Sequence, residues 1–141
     1  MNFRFLHFSI MALFACALLF MTGCRVATLT NVRNSPVPVM SQKQSADNVK
    51  QAILRAGAER GWRMSPAGEG HIVGDLRRRS HRAVVDIFYT DRVYDIIYKD
   101  SSNLKYDRAK SRIHSNYNEW VRNLDATTRS EERRVGKECR S

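Results

Sequence analysis

The stretch of sequence that decides the fold runs from residue 71 to residue 99 and reads HIVGDLRRRSHRAVVDIFYTDRVYDIIYK. Apolar and polar residues alternate through its middle part, residues 81–89, as they do in a strand with one buried face. Residues 72–76 and residues 93–99 alternate in the same way on either side, and short polar turns separate the three segments. This spacing predicts a three-stranded antiparallel meander.

A helix is predicted on each side of the meander. Ser45 suits the N-cap of the first helix, residues 45–60, and Gly61 stands where a C-cap is expected, while Gly57 is the weak point inside it. The apolar residues of both helices follow the helical repeat along one face. They are Val49, Ala52, Ile53 and Ala56 in the first helix, and Ile113, Tyr117, Trp120, Val121 and Leu124 in the second.

The order (β)-α-β-β-β-α predicts an α+β fold, in which an antiparallel sheet of three to four strands carries both helices on one face. The small α+β domain is expected to span residues 45–128, with a loop at residues 65–68. Residues 24–44 precede it and are predicted to form a tether or an edge strand, because their proline-containing segment 35–38 cannot be helical.

The N-terminus has the pattern of an export signal. Arg4 supplies a positive charge, and an apolar run over residues 8–21 is too short for a comfortable transmembrane helix. The run ends in Met21-Thr22-Gly23-Cys24, which resembles the bacterial lipobox, an aliphatic residue and two small residues before a cysteine. This resemblance implies that residues 1–23 are a lipoprotein signal peptide and that the Cys24 thiol receives the lipid.

The chain as a whole resembles the small envelope lipoproteins of Gram-negative bacteria, and residues 1–25 carry that resemblance. Aspartate after the lipidated cysteine resembles an inner-membrane retention signal, and here that position is Arg25. The resemblance therefore implies an outer-membrane anchor facing the periplasm, or a cell-membrane anchor in a host without an outer membrane. An ordinary secretory signal with a chance cysteine, or an uncleaved anchor helix, are the alternatives.

The C-terminal residues 129–141 read RSEERRVGKECRS and show no apolar periodicity. They resemble a vector- or adapter-derived tail. The sequence therefore predicts that they are not native, or that they form a disordered basic terminus.

The charge of the remaining chain restricts its partners. The formal net charge is +10, of which Arg4 contributes one and residues 129–141 contribute two, so that residues 24–128 carry a net charge of +7. Such a domain attracts anions, which in an exported protein are lipid head groups or acidic polymers. Partners are therefore expected to be the membrane through the lipid and an anionic lipid or envelope protein, with no nucleic acid.

The basic turn of the meander is the candidate binding site. Four arginines fall within six residues there, and guanidinium groups suit phosphate. They are Arg77, Arg78, Arg79 and Arg82. The alternative is a solvated turn whose charges keep the strand edges soluble.

No catalytic or metal-binding signature is present. The histidines His71, His81 and His114 lack the i, i+4 spacing of a helical metal site, and only Cys24 remains once the signal and the tail are set aside. A nucleophile set of Ser101 or Ser102 with His114 and Asp107 has no nucleophile elbow around it. We therefore expect no metal, no cofactor and no catalytic residues.

The sequence thus predicts a lipid-anchored, non-enzymatic envelope protein that acts as an interaction or envelope-maintenance module. Two other functions stay open. A hydrolase of envelope polymers would need Asp86, Asp95 or His114 to meet in a pocket. A small-ligand carrier would need a sizeable apolar cavity.

Overall fold

The structure, a computed structural model, describes residues 25–38 and 45–138, with side chains as far as residue 134. Its elements are β1 (Val26–Thr28), β2 (Val32–Pro36), α1 (Ala46–Glu59), β3 (Arg63–Gly68), β4 (His71–Arg78), β5 (His81–Tyr89), β6 (Val93–Ser102), β7 (Arg112–His114) and α2 (Ser115–Glu138). One sheet has the antiparallel order β2-β6-β5-β4-β3, and β1 pairs with β7 in a second, two-stranded sheet. The predicted α+β class is confirmed.

The predicted meander is β4, β5 and β6, with β5 in the centre. Cross-strand pairs of Ile72 with Ile87, and of Ile87 with Ile96, put apolar residues of all three strands on one face. All three isoleucines are buried. The last strand runs to Ser102, three residues beyond the predicted end, and a register shift lies opposite Val84 and Val85 of β5.

The segment predicted as a loop at residues 65–68 is part of a strand. β3 pairs with β4 from Arg63 to Gly68, and the register shifts between Pro66 and Gly68. Proline and glycine made this segment look like a loop. An edge strand tolerates proline, because it has a ladder partner on one side only.

The N-terminal residues form the opposite edge of the sheet. β2 pairs with β6, so of the two structures predicted for residues 24–44, the edge strand is the one that residues 32–36 adopt. Residues 39–44 lie outside the described part. β7 is a strand that the sequence analysis missed, because Ile113 fits the helical stripe that begins with Tyr117. In the structure Ile113 is buried in β7, and α2 starts at Ser115.

Both helices cover the apolar face of the main sheet. Helix α1 has the predicted N-cap, since the Asn48 amide donates to Ser45 Oγ at 3.3 Å. Its C-terminus has the hydrogen bonds of a Schellman motif, from Trp62 N to Gly57 O and from Gly61 N to Ala58 O, with Gly61 at φ 76°. The predicted apolar stripes of the two helices are buried together with the sheet residues, except that Trp120 is half-buried at the margin.

Helix α2 does not end at Thr128, where the sequence predicts the domain to end. It continues to Glu138, and Glu131 and Glu132 are buried, each 4% exposed. The disordered terminus predicted for residues 129–141 is therefore not what the structure has as far as Glu138. The foreign origin of the segment stays a prediction.

Gly57 has a packing role inside α1. A Cβ atom at this position would collide with the Cε and Cγ atoms of Met64, which packs against the core from β3. The glycine that weakens the helix locally therefore provides the space into which Met64 fits.

We expect Gly57→Ala to lower the free energy of unfolding by about 1 kcal/mol, because overpacking costs about 1–3 kcal/mol and better helix propensity returns about 1 kcal/mol. In a Met64→Ala background the same change should stabilise the protein, since the collision is gone. Urea unfolding of the four variants measures both effects. A stabilisation by Gly57→Ala of equal size in both backgrounds contradicts this account of the packing.

Candidate functional site

The start of the described chain is bound firmly to the domain. The Arg25 carbonyl accepts a hydrogen bond from Ser115 N at 2.8 Å, and Val26 pairs with His114. The Asn118 amide then donates to Thr28 O at 2.7 Å and accepts from Thr30 N at 3.0 Å. Cys24 and the predicted signal peptide lie outside the described residues, but Arg25 follows Cys24 directly in the sequence. No flexible segment can therefore lie between Cys24 and the fold.

Several parts of the chain meet beside this start. The His81 ring lies 5.8 Å from the His114 ring and 6.5 Å from the Trp120 ring, measured between centroids. His81 Nδ1 is 2.8 Å from Asn103 O, and Asn103 Nδ2 donates to the carbonyl of Ser80 in the turn between β4 and β5. We call this region the anchor end; it comprises Arg25, Arg79, His81, Lys105, His114 and Trp120.

The anchor end is electrostatically positive. Burial lowers the pKa of His114, and the nearby His81, Lys105 and Arg25 lower it further. His114 Nδ1 lies 3.2 Å from the Asn116 amide, which fits an uncharged ring nitrogen that accepts. Local sequence patterns could not reveal this cluster, because β-pairing brings together residues that are far apart in the chain.

The structure does not keep the four predicted arginines together. Arg77 and Arg82 are cross-strand partners on the sheet face away from the helices, whereas Arg78 donates to the carbonyl of Arg60 at the end of α1, at 2.9 Å. Arg79 lies in the turn between β4 and β5 with φ 55°. The arginines of the turn therefore point to three different surroundings.

Carboxylates neutralise two of these arginines. Arg82 donates to Asp75 Oδ2 through Nε at 3.0 Å and Nη2 at 2.8 Å, and its Nη1 lies 3.5 Å from Asp100. Arg77 Nε lies 3.8 Å from Asp75 Oδ1. Of the four arginines, Arg79 alone makes no hydrogen bond or ion pair with the part of the chain that the structure describes.

The face of the main sheet away from the helices has an aromatic centre. Phe88 is 47% exposed, the highest value for any large apolar side chain in the described residues, and its ring stacks on His71 at 4.6 Å. His71 Nε2 and Lys99 Nζ each lie 2.8 Å from Asp86 Oδ1. We call this surface the open face.

On strands β3 to β6, the charges of the open face are balanced. The strand register assigns to it there the cations Arg63, Arg77, Arg82 and Lys99 and the anions Asp75, Asp86, Asp95 and Asp100. The hydrogen bond from Arg82 is the main cause that lowers the pKa of Asp75. Burial acts to raise the pKa of Asp86, but Lys99 and His71 outweigh it and the pKa is lowered. Both aspartates therefore stay ionised at neutral pH.

A second acidic cluster is buried between α2 and β2. Asp125 Oδ1 accepts from Tyr94 OH at 2.7 Å and from Ser35 Oγ at 3.0 Å, and Asp125 Oδ2 accepts from Arg129 at 2.7 Å. Two helical turns further on, neither carboxylate oxygen of Glu132 has a partner among the described residues. Burial, with the charge of Asp125, raises the pKa of Glu132 to about 7.

The side chains considered for catalysis do not converge. Asp86 and Asp95 lie on the open face, whereas His114 lies at the anchor end. Ser101 Oγ is 2.9 Å from Tyr98 OH, and Asp107 accepts from the Lys110 amide instead of from His114. Within the described residues no three His, Cys, Asp or Glu side chains are grouped so that they could hold a metal ion.

Two shallow grooves flank the sheet. One, of ≈ 290 Å³, is lined by Gly61, Trp62, Arg63, Asp75 and Arg77. The other, of ≈ 400 Å³, lies at the opposite end of the sheet and is lined by Ala46, Asp47, Lys50, Gly68, Glu69, Gly70 and Tyr89. Both grooves are open to solvent and have mixed polar and apolar walls, unlike the apolar cavity that a small-ligand carrier needs.

Comparison with protein-family models, curated proteins and solved structures returned no match to this chain. Neither described helix combines the length and the apolar character needed to cross a membrane.

We expect Glu132→Gln to stabilise the protein at pH 8 by about 1–2 kcal/mol, allowing for partial solvent screening. The folded-state pKa of about 7 lies above the ordinary value of 4.5, so the ionised carboxylate costs stability above pH 7 and costs nothing once it is protonated in both states. The gain should therefore shrink as the pH falls through this interval and be absent at pH 4. Urea unfolding at the two pH values measures it.

Glu119→Gln is the matched control, because Glu119 is an exposed acid on the same helix. An equal effect of both substitutions, or a gain from Glu132→Gln that persists at pH 4, contradicts a buried unpaired carboxylate.

Proposed function

We propose that this chain is a lipid-anchored envelope protein, whose domain works at the membrane surface by binding another envelope protein and catalyses no reaction. The observation that carries the proposal is the hydrogen-bonded attachment of Arg25, the residue after the lipobox cysteine, to the start of α2. A lipid on Cys24 would hold the whole domain against the bilayer. We propose the outer membrane, on its periplasmic side, as the location.

The open face is the surface that we assign to the protein partner. Its charges on β3 to β6 balance, so this part has no net attraction for an anionic membrane. His71 and Lys99 both bind Asp86 beside the exposed Phe88 ring. An aromatic centre within a polar rim is the usual composition of a protein–protein interface. The flat surface of paired side chains also suits a folded partner better than a small molecule.

A binding role is favoured over a catalytic one by the state of the carboxylates. A general acid or base at neutral pH needs a pKa near 7 and access to substrate. On the open face, the lowered pKa values of Asp75 and Asp86 make both poor proton donors. Glu132 has a suitable pKa, but its side chain is only 4% exposed.

We expect Cys24→Ser to abolish incorporation of a palmitate analogue, because no other thiol follows two small residues. Metabolic labelling followed by gel fluorescence measures incorporation. In the wild-type protein, separation of the two membranes on a sucrose gradient should place the label in the outer-membrane fraction.

Cys16→Ser and Cys139→Ser are the controls, since they remove the other two thiols and should leave the label intact. Label that persists on Cys24→Ser, or that disappears with either control, rules out the proposed anchor.

We expect a photo-crosslinking amino acid at Phe88 to form one protein adduct of defined size in intact cells. The same amino acid at Arg92, in the turn beyond the end of β5, should not form it. The double substitution Asp86→Lys with Lys99→Asp should remove the adduct, because it keeps the ion pair but inverts its direction. Gel mobility and mass spectrometry of the adduct provide the readout.

Equal adducts at Phe88 and Arg92 would indicate unspecific collision. An adduct that survives the charge swap, or the absence of any adduct at Phe88, counts against the open face as the binding surface.

A further inference from the structure

The anchor end carries cations that the fold leaves unpaired. The side chains of Arg25, Arg79 and Lys105 are exposed, and none makes a hydrogen bond or ion pair with the residues that the structure describes. The open face differs, because three of its cations, Arg77, Arg82 and Lys99, have carboxylate partners. The anchor end thus places three unpaired cations together beside the attachment point of the chain.

We propose that the anchor end is a membrane-contact surface, on which Arg25, Arg79 and Lys105 bind the head groups of anionic phospholipids. This inference rests on the proposed lipid at Cys24, which brings these residues within reach of the bilayer. Contact through this end orients the domain, so that the strands of the main sheet run away from the membrane and the open face stays accessible to a protein.

The three cations are held in place. Ser115 N donates to the carbonyl of Arg25, and Asn103 Nδ2 donates to the carbonyl of Ser80 in the turn that carries Arg79. Lys105 follows Leu104, which is 1% exposed and packs in the core, so the backbone at Lys105 is held in place. Because the fold has already ordered the backbone at all three positions, binding to head groups costs little further backbone entropy.

An aromatic side chain accompanies the charges. Trp120 is half-buried at the anchor end and contacts the His81 ring. Tryptophan favours the interface between head groups and acyl chains, because its ring is apolar and its N–H is polar. Unpaired cations beside such a ring fit an anionic bilayer better than an acidic protein surface.

The loops at the opposite end of the main sheet, with the start of α1 beside them, have no such excess of positive charge. They carry Asp47, Glu69 and Asp91 against Lys50 and Arg92. Electrostatic attraction to a membrane falls off within about 8–10 Å at physiological salt, and a strand of nine residues is about 30 Å long. An anionic membrane therefore attracts the anchor end more strongly than the loops at the opposite end.

The test uses the full-length protein, purified with its lipid, in a Cys139→Ser background. An environment-sensitive fluorophore is attached at Ser80→Cys, in the turn of the anchor end, or at Asp91→Cys, in the turn at the opposite end. Each protein is mixed with vesicles of phosphatidylcholine alone or of phosphatidylcholine with phosphatidylglycerol. We expect a blue shift and enhanced emission at position 80 with phosphatidylglycerol, reversed by salt, and no response at position 91.

Two triple variants separate this surface from general positive charge. Changing Arg25, Arg79 and Lys105 to Gln should weaken contact on the order of a hundredfold and abolish the response at position 80. Changing Arg33, Lys50 and Arg92 to Gln removes the same net charge elsewhere and should leave the response intact. Urea unfolding of both variants checks that each is folded.

Equal responses at positions 80 and 91, equal loss in the two triple variants, or no dependence on phosphatidylglycerol would each overturn the proposal. Mass spectrometry of the purified protein reports separately whether Cys24 carries acyl chains. An unacylated protein refutes the proposed anchor, and the same measurement with Cys16→Ser and Cys24→Ser added then decides whether the anchor end binds anionic lipid.

Discussion

The register of β5 is the constraint on which the other features depend. This strand pairs along its length with β4 on one side and β6 on the other, and its side chains alternate between the two faces. A slip of one residue would turn Val85 and Ile87 outward and bring Arg82 and Asp86 beneath the helices. The free energy of burying these charges and exposing the apolar side chains excludes the slipped register. One register therefore fixes the covered core, the ion pairs of the open face and the turns at the two ends of the sheet.

The sequence predicts those parts of the fold in which neighbours along the chain decide the structure. Helix α1, with its Ser45 cap, and the meander follow from local periodicity, and both are present. The sequence does not predict β3, because Pro66 and Gly68 are typical of a loop. Proline is tolerated in an edge strand, but the sequence alone does not show which strand lies at the edge. Ile113 was assigned to the helix because a strand of three residues is too short to show an alternation.

The candidate site was less predictable, because its contacts are long-range. The lipobox that we predict is a local sequence motif, and Cys24 itself lies outside the described residues. Thr30 and Asn118, which tie the N-terminus to α2, are 88 residues apart in the chain. The sequence shows the arginine-rich turn directly. It does not show that Asp75 and Asp100 neutralise Arg82, because these aspartates lie on the two neighbouring strands and only the strand pairing brings them close.

Arg25 is hydrogen-bonded into the domain, and this has a consequence for how far the protein can reach. A flexible linker between the lipid and a domain lets the domain move away from the membrane, over a distance that grows with the length of the linker. With the lipid that we propose at Cys24, the domain would instead stay next to the bilayer, and its own dimensions would set its reach, of which the strand β5 accounts for about 30 Å. Its search for a partner would then be two-dimensional, confined to a thin layer in which molecules on the same membrane are at high effective concentration. With that anchor, the protein would meet partners in its own membrane most often, and a soluble partner would have to enter that layer.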